Sequence, residues 1–288
     1  MTYSTDTKPS MLSRSHLLLS LVIAASGALA ACGGKSKPEG TPRSYADPDV
    51  KTVLSELAAK EAKANSFYTE SRMEYWADGE RVKPTVLIMG QRGAKVRFNA
   101  LNPAGDDTAS DLACNGANFQ YVDFTNDCQL VGLCNKQAIS RLLRVSLEPD
   151  DFLSLAIGST PIIANPSGSL HWDSSKQQEI LKLKSGDGNW TQTIVLDGRK
   201  RSWDLISSTV WNSDGDMEWE ITNKDFSELK SDDNILFRVP GKTRFKQPGS
   251  KSELSIRWED RSINLELPES KFTMEIPQEL PTCGQKGS

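Results

Sequence analysis

Polar and apolar positions alternate with a period of two over most of this chain. From Ser66 onward, Phe67, Thr69, Ser71, Met73 and Tyr75 fall on one side and Tyr68, Glu70, Arg72, Glu74 and Trp76 on the other, the spacing of a half-buried strand. Turn signals punctuate the next fifty residues: Asp78-Gly79, Gln91-Arg92-Gly93, Asn102-Pro103, Gly105-Asp106 and Asn115-Gly116. The last is the strongest short hairpin signal in the chain. Together they predict an antiparallel meander with strands over 66–76, 82–89, 95–101, 108–114 and 118–124. After a break the pattern resumes, with strands expected over 169–173, 179–184, 190–196, 200–211, 217–226, 235–239, 253–258, 263–267 and 272–276. Ser185-Gly186-Asp187-Gly188, Asp197-Gly198 and Asp214-Gly215 supply turns between them.

Helical spacing occurs in three places. Asp47-Pro48-Asp49 opens the first: Asp47 as cap, Pro48 at the first helical position and Asp49 against the helix dipole. Val50, Val53, Leu54 and Leu57 then form one apolar stripe of an amphipathic helix reaching about residue 64. Ala138, Ile139, Leu142 and Leu143 predict a short helix over 137–143. Pro149-Asp150-Asp151 starts a third, apolar on most sides through Phe152, Leu153, Leu155, Ala156 and Ile157, and stopped by Gly158. With no alternation of strand and helix, the pattern argues a mainly β fold: one curved antiparallel sheet with a helical lid. Val53, Leu54, Leu57, Leu142, Phe152 and Leu155 are then candidates for the lid or the wall of a ligand cavity; plain core packing is the alternative for each. No shift in composition divides residues 47–288 into two domains.

The N-terminal region has a different grammar. An apolar run over 17–29 ends in Leu29-Ala30-Ala31-Cys32-Gly33-Gly34. The run is shorter than the ~20 residues a transmembrane helix needs, and Arg14 supplies a positive n-region, with Met11 an alternative start. Leu-Ala-Ala-Cys resembles the bacterial lipobox. Residues 1–31 then read as a lipoprotein signal, and the Cys32 thiol as the acceptor of a diacylglyceryl group and of fatty chains such as palmitate. Each buried methylene of such chains is worth ~0.8 kcal/mol of membrane binding. Gly33 stands where an inner-membrane retention signal would have Asp, which points to the outer membrane, the domain facing the periplasm. Residues 34–44, rich in Gly, Pro, Lys and Ser, read as a disordered tether, placing the lipidated N-terminus and tether at 32–46.

Composition narrows the partners. The net charge of -4 makes nucleic acid an unfavoured one, leaving the membrane through the anchor, a hydrophobic ligand, and other lipoproteins or envelope proteins. Four cysteines remain after Cys32: Cys114, Cys128, Cys134 and Cys283. An even number in an exported domain suggests two disulfides. Cys114 and Cys128 flank a strand rising ~3.3 Å per residue, which sets them too far apart to join. The expected pairs are therefore Cys128 with Cys134, the local one, and Cys114 with Cys283. No His or Cys pair has zinc-ligand spacing, and no cofactor motif is present. A Ser-His-Asp set needs a histidine, and beyond the signal only His171 is available, on an expected strand. There is no Gly-x-Ser-x-Gly and no phosphate loop. The acidic residues fall mostly in turns and on alternating strand faces, as solvated charge does. The expectation is a binding protein and not an enzyme.

Four stretches carry a resemblance to a known family. They are Ala64-Asn65-Ser66-Phe67 after the first helix; Gly90-Gln91-Arg92-Gly93-Ala94-Lys95-Val96-Arg97-Phe98 with Cys114-Asn115-Gly116-Ala117-Asn118-Phe119-Gln120-Tyr121; the helix Leu147 to Gly158; and Phe272-Thr273-Met274-Glu275-Ile276-Pro277. In this order, from about Val50 to Pro277, they resemble the carriers and receptors of the Lol lipoprotein-sorting system and the outer-membrane lipoproteins that share their fold. The resemblance implies a half-open antiparallel β-barrel closed on its concave side by helices, with a cavity for acyl chains of lipoproteins or other amphiphiles. In the family's carrier a basic residue in the turn before the third strand regulates closing of the lid. Arg92 resembles it; a solvated turn arginine is the alternative. The cysteines and the extra length depart from the typical receptor.

Overall fold

A computed structural model describes residues 40–77, 80–102, 107–143 and 145–284. The signal, Cys32 and residues 33–39 lie outside the described residues, as do the expected turns at Asp78-Gly79 and Gly105-Asp106. The described ones belong to one compact unit, Gly40–Ser288.

The chain enters through helix α1 (Val50–Ala62) and then builds the meander β1 (Ser66–Ala77), β2 (Glu80–Val82), β3 (Thr85–Gln91), β4 (Lys95–Leu101), β5 (Thr108–Asn115), β6 (Asn118–Asp123) and β7 (Cys128–Leu133). Helices α2 (Lys136–Leu143) and α3 (Asp151–Ala156) interrupt it. The second meander is β8 (Ser167–Asp173), β9 (Gln178–Lys184), β10 (Trp190–Asp197), β11 (Asp204–Asn212) and β12 (Met217–Lys224). A hairpin of β13 (Ser227–Lys230) and β14 (Leu236–Val239) precedes β15 (Lys242–Gln247) and the long β16 (Ser252–Ile263). Fourteen strands form one antiparallel sheet in the order β7-β6-β5-β4-β3-β1-β16-β15-β12-β11-β10-β9-β8, with β2 on β1 and β13–β14 apart. The expected single sheet is observed. It stays open, because β7 and β8 end the order without pairing to each other.

β16 joins the two meanders. It pairs with β1 on one side and β15 on the other. The sequence pattern predicts two strands here, over 253–258 and 263–267. One twelve-residue strand forms instead, and a register shift opposite Thr69 and Glu70 absorbs its bend. The expected strand over 200–211 begins only at Asp204; Trp203 sits before it with a positive φ of 49°. No strand forms over 272–276, where a 3-10 turn at Glu269–Phe272 buries Phe272. β7 and β15, in stretches whose pattern reads as connections, complete the sheet.

The alternation in β1 is realised: Phe67, Thr69, Ser71 and Met73 are buried while Arg72 and Trp76 are exposed. Val86, Ile88, Val96, Phe98 and Leu112 continue the buried face on neighbouring strands. Gly90 faces Phe67 across the β1–β3 pair, and a side chain there would meet the ring at 2.4 Å. The three helices lie against this apolar face, with Val53, Leu57, Ile139, Phe152 and Leu155 buried in it. Phe152 meets Phe98 edge to face at 4.8 Å.

The disulfides differ from the expected pairs. Cys114 joins Cys134, and Cys128 joins Cys283. β7 is the reason. Cys114 stands opposite Phe119 on β6, and Phe119 opposite Gly132 on β7, so the end of β7 returns beside Cys114. Cys128 and Cys134 bracket that same extended strand and are held about 20 Å apart by its rise. At the other end of β7, Gln129 pairs with the C-terminal segment: its N–H reaches the Pro281 carbonyl and its carbonyl accepts from Cys283. That contact brings Cys283 to Cys128.

The segment before α1 is also docked, which corrects the tether expected to reach residue 44. The Thr41 N–H donates to the Ser174 carbonyl, and the Trp172 indole N–H to the Thr41 carbonyl. Arg43 forms a two-pronged ion pair with Glu179, at 2.6 and 3.1 Å, and the Tyr45 hydroxyl donates to the same carboxylate at 3.0 Å. Glu179 is 0% exposed. A buried carboxylate is tolerated only while paired. The Arg43→Ala variant is therefore expected to lose ~3–5 kcal/mol of stability in urea unfolding, and Arg43→Met with Glu179→Leu to recover most of it. An Arg43→Ala protein as stable as the parent would contradict this.

Candidate functional site

α1 is the longest of the lid helices. Asp49, not Asp47, caps its start, accepting the Thr52 N–H at 2.6 Å. Pro48 therefore precedes the cap and does not occupy the first turn. The C-terminal carbonyls of α1 are met by the sheet. Arg92, in the β3–β4 turn, donates from Nε to the Ala64 carbonyl at 2.7 Å and from Nη2 to the Glu61 carbonyl. Asn264, just past β16, donates to the Lys63 carbonyl at 2.8 Å and accepts the Asn65 N–H at 2.8 Å. These groups satisfy carbonyls that the helix leaves open and place a cation at the negative end of its dipole.

The same turn reaches another lid helix. The Ala94 N–H donates to Asp150, at the start of α3, at 2.9 Å. At the far end of α3, Arg261 donates to the Ala156 and Pro240 carbonyls while lying over the Trp258 ring at 5.2 Å. Burial pushes the Arg261 guanidinium down to about 10. Between α1 and α3, the Glu61 carboxylate accepts the Ser154 hydroxyl at 2.7 Å and the Ser159 hydroxyl at 3.0 Å.

Beneath α1 lies an apolar cavity of about 210 Å³, lined by Leu54, Leu57, Ala58, Gly158, Ile162, Pro166 and Leu205, with Lys60, Glu61, Ser159 and Thr160 as its polar wall. It exceeds the about 150 Å³ of an apolar cavity that holds benzene, so it accepts a short apolar segment as it stands. A second space of about 40 Å³ lies beneath α2, between Ile139 and Leu143 and the β3–β6 surface at Val86, Phe98, Leu112 and Tyr121. That volume is nearly closed. Leu54 and Leu57 thus stand on the first cavity wall, whereas Val53, Phe152 and Leu155 are packed into the core. The side chain of Leu142 lies outside the described residues.

Lys60 is a site residue that sequence reasoning did not single out. It stands with Val53, Leu57 and Ala64 at positions 53, 57, 60 and 64, one face of a helix. A lysine on an apolar stripe is the signal that marks it. Its Nζ is buried without a hydrogen-bond partner. Burial pushes its ammonium below the usual lysine range; the attraction of Asp204 opposes this and the repulsion of Arg238 adds to it. Asp204 is itself held by Arg238 at 2.8 Å. Lys60 also lines a wider polar groove with Glu56, Lys63, Arg201, Trp203, Glu228 and Arg238. No group of three or more His, Cys, Asp or Glu suited to a metal occurs among the described residues. No helix among them is long and apolar enough to cross a membrane.

No family model and no curated protein matches the sequence. Solved structures do match. A LolA superfamily protein from Nitrosomonas europaea aligns at 11% identity over 79% of this chain and 99% of its own, with a TM-score of 0.52. A putative outer membrane lipoprotein-sorting protein domain from Vibrio parahaemolyticus aligns at 11% identity over 77% and 94%, with a TM-score of 0.51. A DUF1329 family protein from Desulfovibrio piger aligns at 14% identity over 79% and 98%, with a TM-score of 0.50. The likeness is one of fold: an open, helix-covered antiparallel sheet of the LolA type.

Arg92→Ala removes two of the three side-chain donations to the end of α1 and leaves that of Asn264. Amide exchange over residues 57–64 is expected to accelerate roughly 10-fold or more, as befits loss of charge-assisted hydrogen bonds, while β3 and β4 keep their protection. Unchanged exchange in α1 would show that Arg92 does not fasten the helix. A pH dependence is expected at Asp151, pushed up to about 6 chiefly by burial, against the Glu148 N–H that it accepts. The folded state therefore binds a proton more tightly than the unfolded chain, and stability falls as pH rises from about 4 to 6 and stays lower above that. Asp151→Asn is expected to gain on the order of 1–2 kcal/mol at pH 7, a difference that vanishes below pH 4 in urea unfolding. A gain of equal size at both pH values would refute the assignment.

Proposed function

We propose that this chain is an envelope lipoprotein, anchored to the bacterial outer membrane through lipid on Cys32 and facing the periplasm, that binds a lipid or lipoprotein acyl chain beneath α1 without chemistry. Its role on this reading is in the trafficking of envelope lipids or lipoproteins. One observation carries the reading: α1 covers an apolar cavity while its C-terminal end is held by a few side-chain bonds from Arg92 and Asn264. A chain enters such a site once a small number of polar contacts break, and its methylenes then replace water against an apolar wall. The LolA-like fold supports the reading, and so does the lipobox resemblance at Leu29-Ala30-Ala31-Cys32.

A second reading, a non-catalytic envelope scaffold that binds a protein partner, is favoured by a different observation. Val131 and Leu133 on the end strand β7 are 66% and 69% exposed, apolar side chains beside an unpaired strand edge.

The test is organic extraction and mass spectrometry of the Cys32→Ser chain, exported to a bacterial periplasm behind a cleavable signal and purified without detergent. A co-purifying lipid or fatty acid near one equivalent is the expected result. A stable protein that emerges free of ligand would remove the carrier reading and leave the scaffold one.

A further inference from the structure

Lys60 raises a problem that the apolar cavity alone does not answer. Its Nζ is buried and without a hydrogen-bond partner. Asp204, the acid whose charge acts on it, is engaged by Arg238 through both carboxylate oxygens. The carboxylates of Glu56 and Glu61 are occupied as well, the first by Arg201 and the Trp203 indole, the second by Ser154 and Ser159. Burying a charge without a partner costs several kcal/mol, and nothing in the packing of α1 requires a lysine at this point of its apolar stripe. Its position is the informative feature. Lys60 lines both the apolar cavity and a wider mixed groove beside it, where the cations Lys63, Arg201 and Arg238 outnumber the acids Glu56 and Glu228. It therefore stands where the apolar part of a ligand would end and a charged part begin.

We propose that the ligand is an anionic amphiphile, its chain against Leu54, Leu57, Ile162 and Leu205 and its carboxylate or phosphate head paired with Lys60. The inference rests on the carrier reading and adds the class of head group. An incoming anion supplies the partner that the protein withholds, and the ammonium supplies a charge-assisted hydrogen bond that a neutral head cannot match. Glu61 shares the cavity wall, but its oxygens are turned onto two hydroxyls, so the free donor on that wall is Lys60. Selection then follows from mismatch: a neutral amphiphile leaves the buried amine unpaired, and an anionic one does not.

The test is calorimetric titration of the detergent-free Cys32→Ser chain with dodecanoate, dodecyl phosphate and 1-dodecanol, which share a chain and differ in the head. Either anion is expected to bind at least about 10-fold more tightly than the alcohol. Preference for dodecanoate marks a fatty-acid ligand, and preference for dodecyl phosphate a phospholipid-like one. Lys60→Met, close in length and uncharged, is expected to erase that difference, bringing the ratio of anion to dodecanol affinity to within about twofold of one. Lys60→Arg keeps the charge and is expected to retain the preference, which guards against a variant that merely misfolds. Equal affinity for all three probes, or a loss of all three alike in Lys60→Met, would overturn the head-group inference and leave the carrier reading standing. Binding of none of them would overturn both.

Discussion

Short helices cannot hold themselves over a sheet. A helix of fewer than about 12–15 residues is marginal in water, and the lid here consists of helices of 13, 8 and 6 residues. Their order comes from burial of one face and from side chains that meet their ends. The sheet supplies most of those side chains. Arg92 and Asn264 finish α1, Arg261 finishes α3, and Asn135, just past β7, opens α2 by accepting the Ala138 N–H at 3.1 Å. The β3–β4 turn is the junction of this scheme, since Arg92 reaches α1 and Ala94 reaches α3 from the same three-residue stretch. The cover is thus fastened at its ends, over a wall that is only partly filled.

The elements legible in the sequence are those whose signals are local. The alternation from Phe67 to Tyr75, the Asn115-Gly116 hairpin, the apolar stripe of α1 and the stop at Gly158 all depend on neighbours within a few residues. The elements that escape depend on distant ones. β7 carries Gln129-Leu130-Val131-Gly132-Leu133, whose apolar residues do not mark a core face, because Val131 and Leu133 point to solvent. β15 carries Lys242, Arg244 and Lys246 among its six residues and reads as a polar linker, yet it is a strand because β12 and β16 flank it. Without β7, both disulfides are misplaced. The rise per residue that separates Cys114 from Cys128 separates Cys128 from Cys134 just as firmly once the strand between them is known. The cavity is legible in part. Leu54 and Leu57 follow from helical spacing, whereas Ile162, Pro166 and Leu205 come from a loop and a strand far away in sequence and meet only in the fold. Lys60 is visible as a charge on an apolar face, but its meaning needs the cavity.

Electrostatics here follows a consistent division. Pairs on the outer face, such as Arg244 with Glu253 and Arg81 with Glu74, are solvated and contribute little. Among the buried charges, three sit at joints. Glu179 binds the segment before α1 to β9, Arg261 binds α3 to β16, and Asp204 binds β11 to the β13–β14 hairpin through Arg238. Glu179 and Asp204 are paired with arginines and Arg261 rests on two carbonyls and the Trp258 ring, whereas the Lys60 ammonium has neither an acid nor a carbonyl within hydrogen-bond reach.

The open sheet has two raw edges, and its own chain meets each of them at one end only. Near β8 the segment carrying Thr41 and Arg43 lies against Ser174 and Glu179; on β7 the segment ending at Cys283 pairs with Gln129 and is locked by the bond to Cys128. These two flaps work as short selvedges, finishing one corner of each border and leaving the rest of it bare. The finish on β7 depends on an oxidised thiol pair. A cell compartment that kept Cys128 and Cys283 reduced would free that border, and stacking of one copy against the next would compete with correct folding. The molecule thus carries in its hem a requirement for oxidising surroundings, independent of anything its cavity holds.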